Sequence, residues 1–324
     1  MRPRGLKRPP DGERWARPTA GRRNDRSRVG GGHKSFLSPT LGRPVAVKFQ
    51  ARFDRILRAR NSLVCVGLDP DLALFPKSLR RLSPSTALNR FLDGMVRATL
   101  PSAAAYKMQL GAYLAFGPDG IDALARIVRR IGPTRLRILD LKANDIPNTM
   151  RQFRIGAFDR FGFDAVTVTP WLGWETLEPF AQDADHGFFV VAHSSNPGAP
   201  DFQEIPTPRG PLWLAVIGEV RRLAALRGNA GAVVGATYPD AIRIARQALG
   251  SGVPILVPGV GAQGGQLSAT VRDGVDAQGQ ALIVNASRSI LYASAGPDWK
   301  TAAAREAERM RVQINQLRAG IGKR

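Results

Sequence analysis

The sequence is poor in the residues that build disulfides, metal centres and membrane spans. Its single cysteine, Cys65, lies inside an apolar run and is interpreted as a small core residue, because one cysteine cannot form an internal disulfide. None of its 3 histidines belongs to a cluster with metal-ligand spacing. No apolar run approaches the roughly 18 residues that cross a bilayer. We therefore expect a soluble, cytoplasmic protein with no metal site.

Two sequence signatures of common enzyme classes are missing or misplaced. No Gly-x-Ser-x-Gly element is present, which argues against a serine hydrolase. The segment Gly259-x-Gly261-x-x-Gly264 formally matches a dinucleotide fingerprint. It follows the seventh candidate strand instead of the first, and no clear helix pattern with a ribose-binding acid comes after it. The sequence therefore does not favour a dehydrogenase.

Positive charge is abundant, with a net charge of +21, and it is concentrated at the start of the chain. Residues 1–46 contain 12 Lys and Arg but 3 Asp and Glu. This segment is also rich in Pro and Gly and lacks apolar periodicity, so we expect a disordered basic extension. A passive extension, a nucleic-acid- or membrane-contacting tail and a transit peptide remain alternatives. The catalytic domain is predicted to span 47–324.

Eight short apolar segments alternate with helical patterns along this domain. The predicted strands are Leu63–Leu68, Ala104–Leu110, Leu136–Leu139, Ala165–Thr169, Phe188–Ala192, Ala232–Ala236, Ile255–Val257 and Ala281–Val284. Such alternation predicts a (β/α)8 barrel. A doubly wound sheet is the rival, but it would not bring the polar residues that follow so many strands to one place. In a barrel those residues converge at the C-terminal face.

The third candidate strand ends in the stretch Asp140-Leu-Lys142-Ala-Asn-Asp145. Asp140 and Lys142 are two residues apart, so an extended chain points both side chains to the same side. Two carboxylates that bracket one lysine would keep its ammonium charged and fixed. A fixed ammonium can bind an anion or deliver a proton to a carbanion. An ordinary salt bridge at a strand end is the alternative.

Two further cations are predicted at the same barrel mouth. Lys107 interrupts the second strand, where a buried strand would normally be apolar. Arg288 follows the eighth strand, and the glycine-rich segment 259–265 follows the seventh. Loops after these two strands are a common phosphate site in barrels. A Lys/Asp array facing a phosphate site suits carbanion chemistry on a small phosphorylated substrate, with lysine as the acid.

Five segments in this order resemble the orotidine 5′-phosphate decarboxylase family, over about residues 50–320. Along the chain they are Val66-Gly-Leu-Asp69-Pro-Asp71, Asp140-x-Lys142-x-x-Asp145-Ile, Ser195-Asn-Pro-Gly-Ala199, Gly231–Tyr238 and Val257–Gly265. They look most like the longer bacterial subgroup, whereas Asp145-Ile-Pro-Asn-Thr149 looks more like the shorter one. The resemblance implies decarboxylation of orotidine 5′-monophosphate to UMP, without a metal or cofactor.

The resemblance also implies roles for individual residues. Lys142 would protonate C6 of the pyrimidine, while Asp140 and Lys107 hold it in place. Asp145 would reach the neighbouring subunit's site in a homodimer. The implied substrate contacts are Asp69 on the ribose, Ile146 and Thr149 beside Asp145, Ser195 on the base, and Gln263 and Arg288 on the phosphate.

Two other functions remain open from the sequence. A Mg²⁺-dependent keto-sugar-phosphate decarboxylase or aldolase would share the Asp140-x-Lys142-x-x-Asp145 element. Such an enzyme would need an acidic metal ligand near the second strand, where this chain has Lys107. A nucleic-acid-binding protein would use the basic charge, but no RNA-binding motif with aromatic platforms is present, so we expect no specific nucleic-acid partner.

Overall fold

The chain folds into a closed barrel of eight parallel strands surrounded by helices. The computed structural model describes residues 48–260 and 264–321. The strands are β1 (Val64–Gly67), β2 (Ala105–Gln109), β3 (Leu136–Ala143), β4 (Ala165–Val168), β5 (Gly187–His193), β6 (Pro206–Thr207), β7 (Gly210–Pro211), β8 (Ala230–Val234), β9 (Ile255–Val257) and β10 (Leu282–Ala286). Around the barrel the order is β1-β10-β9-β8-β5-β4-β3-β2, and β6 and β7 form a separate hairpin. The (β/α)8 prediction is confirmed.

The barrel strands are apolar because both of their faces are covered. Every residue of β1, β8 and β10 is buried, since one face packs in the barrel interior and the other against helices. This double burial explains why the strands read as continuous apolar runs without alternation. Cys65 is one of these fully buried residues, as expected for a core residue.

Helices follow the strands and form the outer layer. They are α1 (Lys48–Arg60), α2 (Pro84–Thr99), α3 (Leu110–Leu114), α4 (Pro118–Ile131), α5 (Pro147–Arg154), α6 (Glu178–Ala181), α7 (Ala199–Phe202), α8 (Leu212–Arg227), α9 (Pro239–Leu249), α10 (Gly264–Gly274), α11 (Arg288–Leu291) and α12 (Trp299–Arg318). Short 3-10 turns lie at Leu72–Leu74 and Trp174–Leu177, and a π-helical turn, Ile155–Arg160, extends α5. None of the helices in the described part of the chain is long and apolar enough to cross a membrane.

One helix departs from the sequence analysis. Helix α10 follows β9, where no clear helix pattern was recognised. Its buried stripe consists of Leu267 and Val271, and Val275 continues it just beyond the helix. These residues are four apart, but small and polar neighbours and a glycine-rich start obscure the period. Residues 1–47 lie outside the described residues, so the boundary near residue 47 stays a prediction.

Candidate active site

A cleft of about 1020 Å³ opens at the C-terminal ends of the barrel strands. Its walls come from β3 and from the segments that follow β1, β2, β9 and β10, which are far apart in the chain. Barrel closure brings these strand ends together, as in other barrel enzymes. The charged and polar side chains in the lining are Asp69, Asp71, Lys107, Gln109, Asp119, Asp140, Asn285, Ser287, Arg288, Ser289 and Tyr292.

Asp140 is the centre of an ion-pair array at the inner end of this cleft. Its Oδ2 lies 2.8 Å from Lys107 Nζ, and its Oδ1 lies 2.6 Å from Lys142 Nζ. The side chains of Asp140 and Lys107 are 10% and 5% exposed, whereas that of Lys142 is 50% exposed. One carboxylate thus holds a buried ammonium on one side and an accessible ammonium on the other.

The backbone of β3 is irregular where it presents Lys142. The register between β3 and β4 shifts between Leu139 and Ala143. Lys142 has a φ of +48°, in the left-handed region that residues with a Cβ seldom occupy. Its backbone N–H donates to Thr167 Oγ1 at 3.0 Å. A strained lysine backbone that is tied to the next strand is typical of a position constrained by function.

Thr167 is a member of the array that the sequence analysis did not single out. Its hydroxyl donates to Asp140 Oδ1 at 2.8 Å while it accepts the Lys142 amide, and its side chain is buried. The available signal was weak, namely a hydroxyl residue within the apolar run of β4. Asp140 therefore accepts three hydrogen bonds, from Lys107, Lys142 and Thr167.

The array holds Asp140 and Lys107 in their charged forms. Burial raises the pKa of Asp140, but Lys107 and Lys142 outweigh burial and bring the pKa down to about 2. Burial alone would lower the pKa of Lys107, yet the carboxylates of Asp69 and Asp140 together raise it. An ammonium and a carboxylate therefore face each other, already ionised and oriented, at neutral pH.

Asp69 extends the array toward the wall of the cleft. Its Oδ2 lies 3.8 Å from Lys107 Nζ, and its Oδ1 accepts the Gln109 backbone N–H at 3.0 Å. The carboxylate is partly exposed to the cleft and can accept hydrogen bonds from a ligand's hydroxyl groups. Asp69 thus lies at the barrel mouth, where the polar residues that follow the strands converge.

Arg288 lines the cleft at the start of α11, directly after β10. It is exposed and forms no ion pair with any residue in 48–260 or 264–321, so its guanidinium is available to an anion. Gly259, on the neighbouring loop, also lines the cleft and has a φ of +84°. The predicted phosphate residue Gln263 lies outside the described residues.

Ser195 lies behind the Gly259 wall of the cleft. A β-carbon built on Gly259 would lie 3.3 Å from Ser195 Oγ, and one on Gly235 would lie 2.6 Å from the Ser195 backbone nitrogen. Gly235 needs glycine for this close approach, and Gly259 needs it for its positive φ. Nearby, His193 is buried and its Nε2 pairs with Glu204 at 3.0 Å, which supports the loop that carries Ser195.

Asp145, Ile146 and Thr149 do not join the array within this chain. The Asp145 carboxylate accepts the Ile146 backbone N–H at 2.7 Å and makes no ion pair in the described part of the chain. Of the two carboxylates predicted to bracket Lys142, Asp140 alone pairs with it here. Ile146 is 56% exposed, and Thr149 lies on α5, which begins at Pro147.

Close to these residues lies a patch of exposed apolar side chains on the loops after β3, β4 and β5. The loops after β3 and β4 are joined, because the Leu172 amide donates to Asn144 Oδ1 at 3.3 Å. The Trp171 and Phe202 rings are 6.2 Å apart. We call this set the apolar rim: Ile146, Trp171, Leu172, Phe202 and Ile205, each between 44% and 62% exposed.

No group of three or more His, Cys, Asp or Glu side chains suited to a metal ion occurs within residues 48–260 and 264–321. The polar chemistry of the cleft is instead that of paired ammonium and carboxylate groups, with a free guanidinium at its edge. Such an arrangement can bind a phosphorylated anion and stabilise a developing carbanion.

Comparisons with known proteins all lead to one family. Residues 62–305 match the model of the orotidine 5′-phosphate decarboxylase / HUMPS family. Orotidine 5′-phosphate decarboxylases from Bordetella avium and Thermomicrobium roseum are 39% and 40% identical, over 84% and 85% of this chain and 100% and 98% of theirs. The Leishmania donovani OMP decarboxylase structure has a TM-score of 0.72 at 30% identity, covering 84% of this chain and 99% of that one.

Proposed function

The chain belongs to the orotidine 5′-phosphate decarboxylase / HUMPS family and is a decarboxylase, and we propose that it converts orotidine 5′-monophosphate to UMP and CO₂ in pyrimidine biosynthesis. The observation that carries this proposal is the Lys107–Asp140–Lys142 array, in which the two buried members line the cleft and hold the accessible Lys142 ammonium. It supplies a fixed, accessible ammonium of the kind that the chemistry requires.

The reaction breaks the bond between C6 and the carboxylate and leaves the electron pair on C6. That pair has little delocalisation, so the largest stabilisation comes from a positive charge already oriented toward the carbon. We assign this role to the Lys142 ammonium, which then donates a proton to C6 to complete UMP. Water restores the proton on Lys142 after product leaves.

Asp140 serves the reaction by holding both lysines. With Lys107 at 2.8 Å and Thr167 at 2.8 Å, its carboxylate has little freedom to move. Lys142 is therefore oriented before substrate binds, and little reorganisation is needed as charge develops. The substrate carboxylate would lie beside Asp140, and its loss as CO₂ removes the repulsion between the two anions.

The remaining residues of the mouth would hold the nucleotide. The Arg288 guanidinium lines the cleft and forms no ion pair with the described residues, which suits it to the 5′-phosphate, and we assign Gln263 as a second contact. We assign the ribose hydroxyls to Asp69, which lines the cleft, and the base to Ser195, which lies next to Gly259. Binding energy from the phosphate can be used to orient the distant ring, so Arg288 should influence turnover as well as affinity.

We propose that the reaction needs no metal ion. The Lys107 ammonium already pairs with Asp140 and lies 3.8 Å from Asp69, so these carboxylates are neutralised by a protein cation. A divalent cation placed there would be repelled by Lys107. This arrangement favours the decarboxylase over the Mg²⁺-dependent keto-sugar-phosphate enzyme considered from the sequence.

We further propose that the working unit is a homodimer in which Asp145 enters the partner's site. Two observations support this proposal: Asp145 has no ion-pair partner among the described residues, and the adjacent apolar rim is exposed. Contiguous exposed apolar groups of this kind mark interaction surfaces. A twofold axis at the rim would cover it and carry Asp145, Ile146 and Thr149 across together.

The direct test is the ultraviolet absorbance of orotidine 5′-monophosphate mixed with the purified chain and excess EDTA. We expect the spectrum to decay to that of UMP, and Lys142→Ala to abolish the decay. Lys300→Ala is the matched control, because Lys300 lies over the Trp299 ring on α12, away from the cleft. An unchanged spectrum with the wild-type chain would refute the proposed reaction, and Mg²⁺-restored turnover would refute the metal-free mechanism.

A further inference from the structure

Tyr292 connects two parts of the cleft that the chain supplies from its opposite ends. It directly follows α11, whose first residue is Arg288, and its backbone N–H donates to the Arg288 carbonyl at 3.0 Å. Its ring stacks on Phe91 of α2, with centroids 5.8 Å apart. Tyr292 is therefore fixed at both ends, by α11 and by the outer helix layer.

The Tyr292 hydroxyl is hydrogen-bonded to the turn that carries Asp69. It accepts the Asp71 backbone N–H at 2.8 Å and donates to the Asp69 carbonyl at 3.2 Å. Pro70, between these residues, has no N–H of its own. One hydroxyl thus satisfies the backbone groups on both sides of the proline and leaves the Asp69 side chain free for other contacts.

The Asp69 carboxylate is oriented by a separate set of groups on β2. The Gln109 amide donates to Oδ1, and Lys107 lies on the Oδ2 side. These contacts determine the rotation of the carboxylate, whereas Tyr292 determines where the Asp69 backbone lies. Burial raises the pKa of Tyr292 to about 12, so its hydroxyl keeps the proton that it donates across the neutral range.

We propose that Tyr292 is a positioning residue that places the Asp69 carboxylate for ribose recognition and joins it to the α11 element that carries Arg288. The proposal rests on the ribose and phosphate contacts assigned above to Asp69 and Arg288. Loss of one hydroxyl should weaken recognition of ribose hydroxyls without weakening recognition of the rest of the nucleotide.

Tyr292→Phe removes the hydroxyl and keeps the ring that stacks on Phe91. We would measure binding of UMP and of 2′,3′-dideoxyuridine 5′-monophosphate to the full chain by isothermal titration calorimetry. Loss of one hydrogen-bonded contact should lower the affinity for UMP by about tenfold. The affinity for the dideoxy analogue should fall by less than about twofold. In an Asp69→Ala background, Tyr292→Phe should have no further effect on UMP, because the group it positions is gone.

Tyr106→Phe is the matched control. Its hydroxyl is hydrogen-bonded as well, to Thr99 and the Val96 carbonyl, but it is buried against α2 and does not line the cleft. This variant should lower thermal stability without changing the preference for UMP over the dideoxy analogue. Two results would show a merely structural role and overturn the inference. In one, Tyr292→Phe lowers the affinity for both ligands equally. In the other, it lowers the UMP affinity of the Asp69→Ala variant further.

The ribose role of Asp69 and the positioning role of Tyr292 can be refuted separately. If the wild-type chain binds UMP and the dideoxy analogue equally, the ribose role of Asp69 is refuted and the inference falls with it. If the wild-type chain prefers UMP, Asp69→Ala removes the preference and Tyr292→Phe keeps it, Asp69 retains its role and the inference about Tyr292 alone is overturned.

Discussion

Asp140→Asn tests whether the ion-pair array stabilises the fold as the geometry implies. The substitution keeps the size of the side chain and removes its charge. Lys107, almost fully buried, is then left with Asp69 at 3.8 Å as its remaining carboxylate. Removing one partner of a buried ion pair costs about 3–5 kcal/mol, because the other charge stays buried without compensation. We expect a loss of that order in the free energy of unfolding near neutral pH.

The same substitution has a characteristic pH dependence. The pKa of Asp140 is lowered from 3.8 to about 2 in the folded protein. This difference corresponds to about 2.5 kcal/mol of stabilisation. Because the folded-state pKa is depressed, the stabilisation is present above pH 3.8 and is lost as the pH falls through about 2. The difference in the free energy of unfolding between wild type and Asp140→Asn should therefore narrow on acidification, by about 1.6 kcal/mol between about pH 6 and about pH 2.5 and by the rest below that.

Urea unfolding, followed by tryptophan fluorescence at about pH 6 and about pH 2.5, measures this difference. Asp159→Asn is the control. Asp159 forms an ion pair of similar length, 2.8 Å to Arg154, but its side chain is 46% exposed. An exposed pair contributes about 0–1 kcal/mol, so this control should change little. The electrostatic account of the array would be refuted if Asp140→Asn lost no more unfolding free energy than Asp159→Asn. It would also be refuted if the loss for Asp140→Asn were the same at both pH values.

Four further outcomes are expected. Lys142→Ala should lower kcat by at least about 10⁴-fold in the absorbance assay, because both proton transfer and charge stabilisation are lost; a loss below about tenfold would contradict its role. Arg288→Ala should lower kcat/KM by about 10–100-fold, with the loss absent for a substrate that lacks the phosphate. Deleting residues 1–46 should leave kcat/KM within about twofold but abolish any nucleic-acid binding seen in gel-shift assays; lost turnover would place the segment in the enzyme. Mixing inactive Lys142→Ala and Asp145→Ala chains should restore about a quarter of wild-type activity if Asp145 acts across a twofold dimer, and none if it acts within its own chain.

The sequence by itself determined the architecture, because barrel strands are buried on both faces and therefore read as uninterrupted apolar runs. Ile255–Val257 has the predicted bounds, and the other strands differ at their ends by a few residues. Strand ends are less certain because hydrogen bonding between neighbouring strands sets them, and a single segment does not contain that information. Helix α10 was missed for a related reason, since its apolar stripe has one residue per turn among small and polar neighbours.

The sequence also placed Asp140 and Lys142 on the same side of a strand, because that relation depends on a spacing of two residues alone. The tertiary structure decided the rest of the array. Thr167 joins Asp140 from the neighbouring strand, and the left-handed backbone at Lys142 lies within the register shift between β3 and β4. Tyr292 meets the Asp69 turn across more than 200 residues of chain. Contacts of this kind depend on barrel closure, which brings distant strand ends to one mouth, and no local pattern in the sequence encodes them.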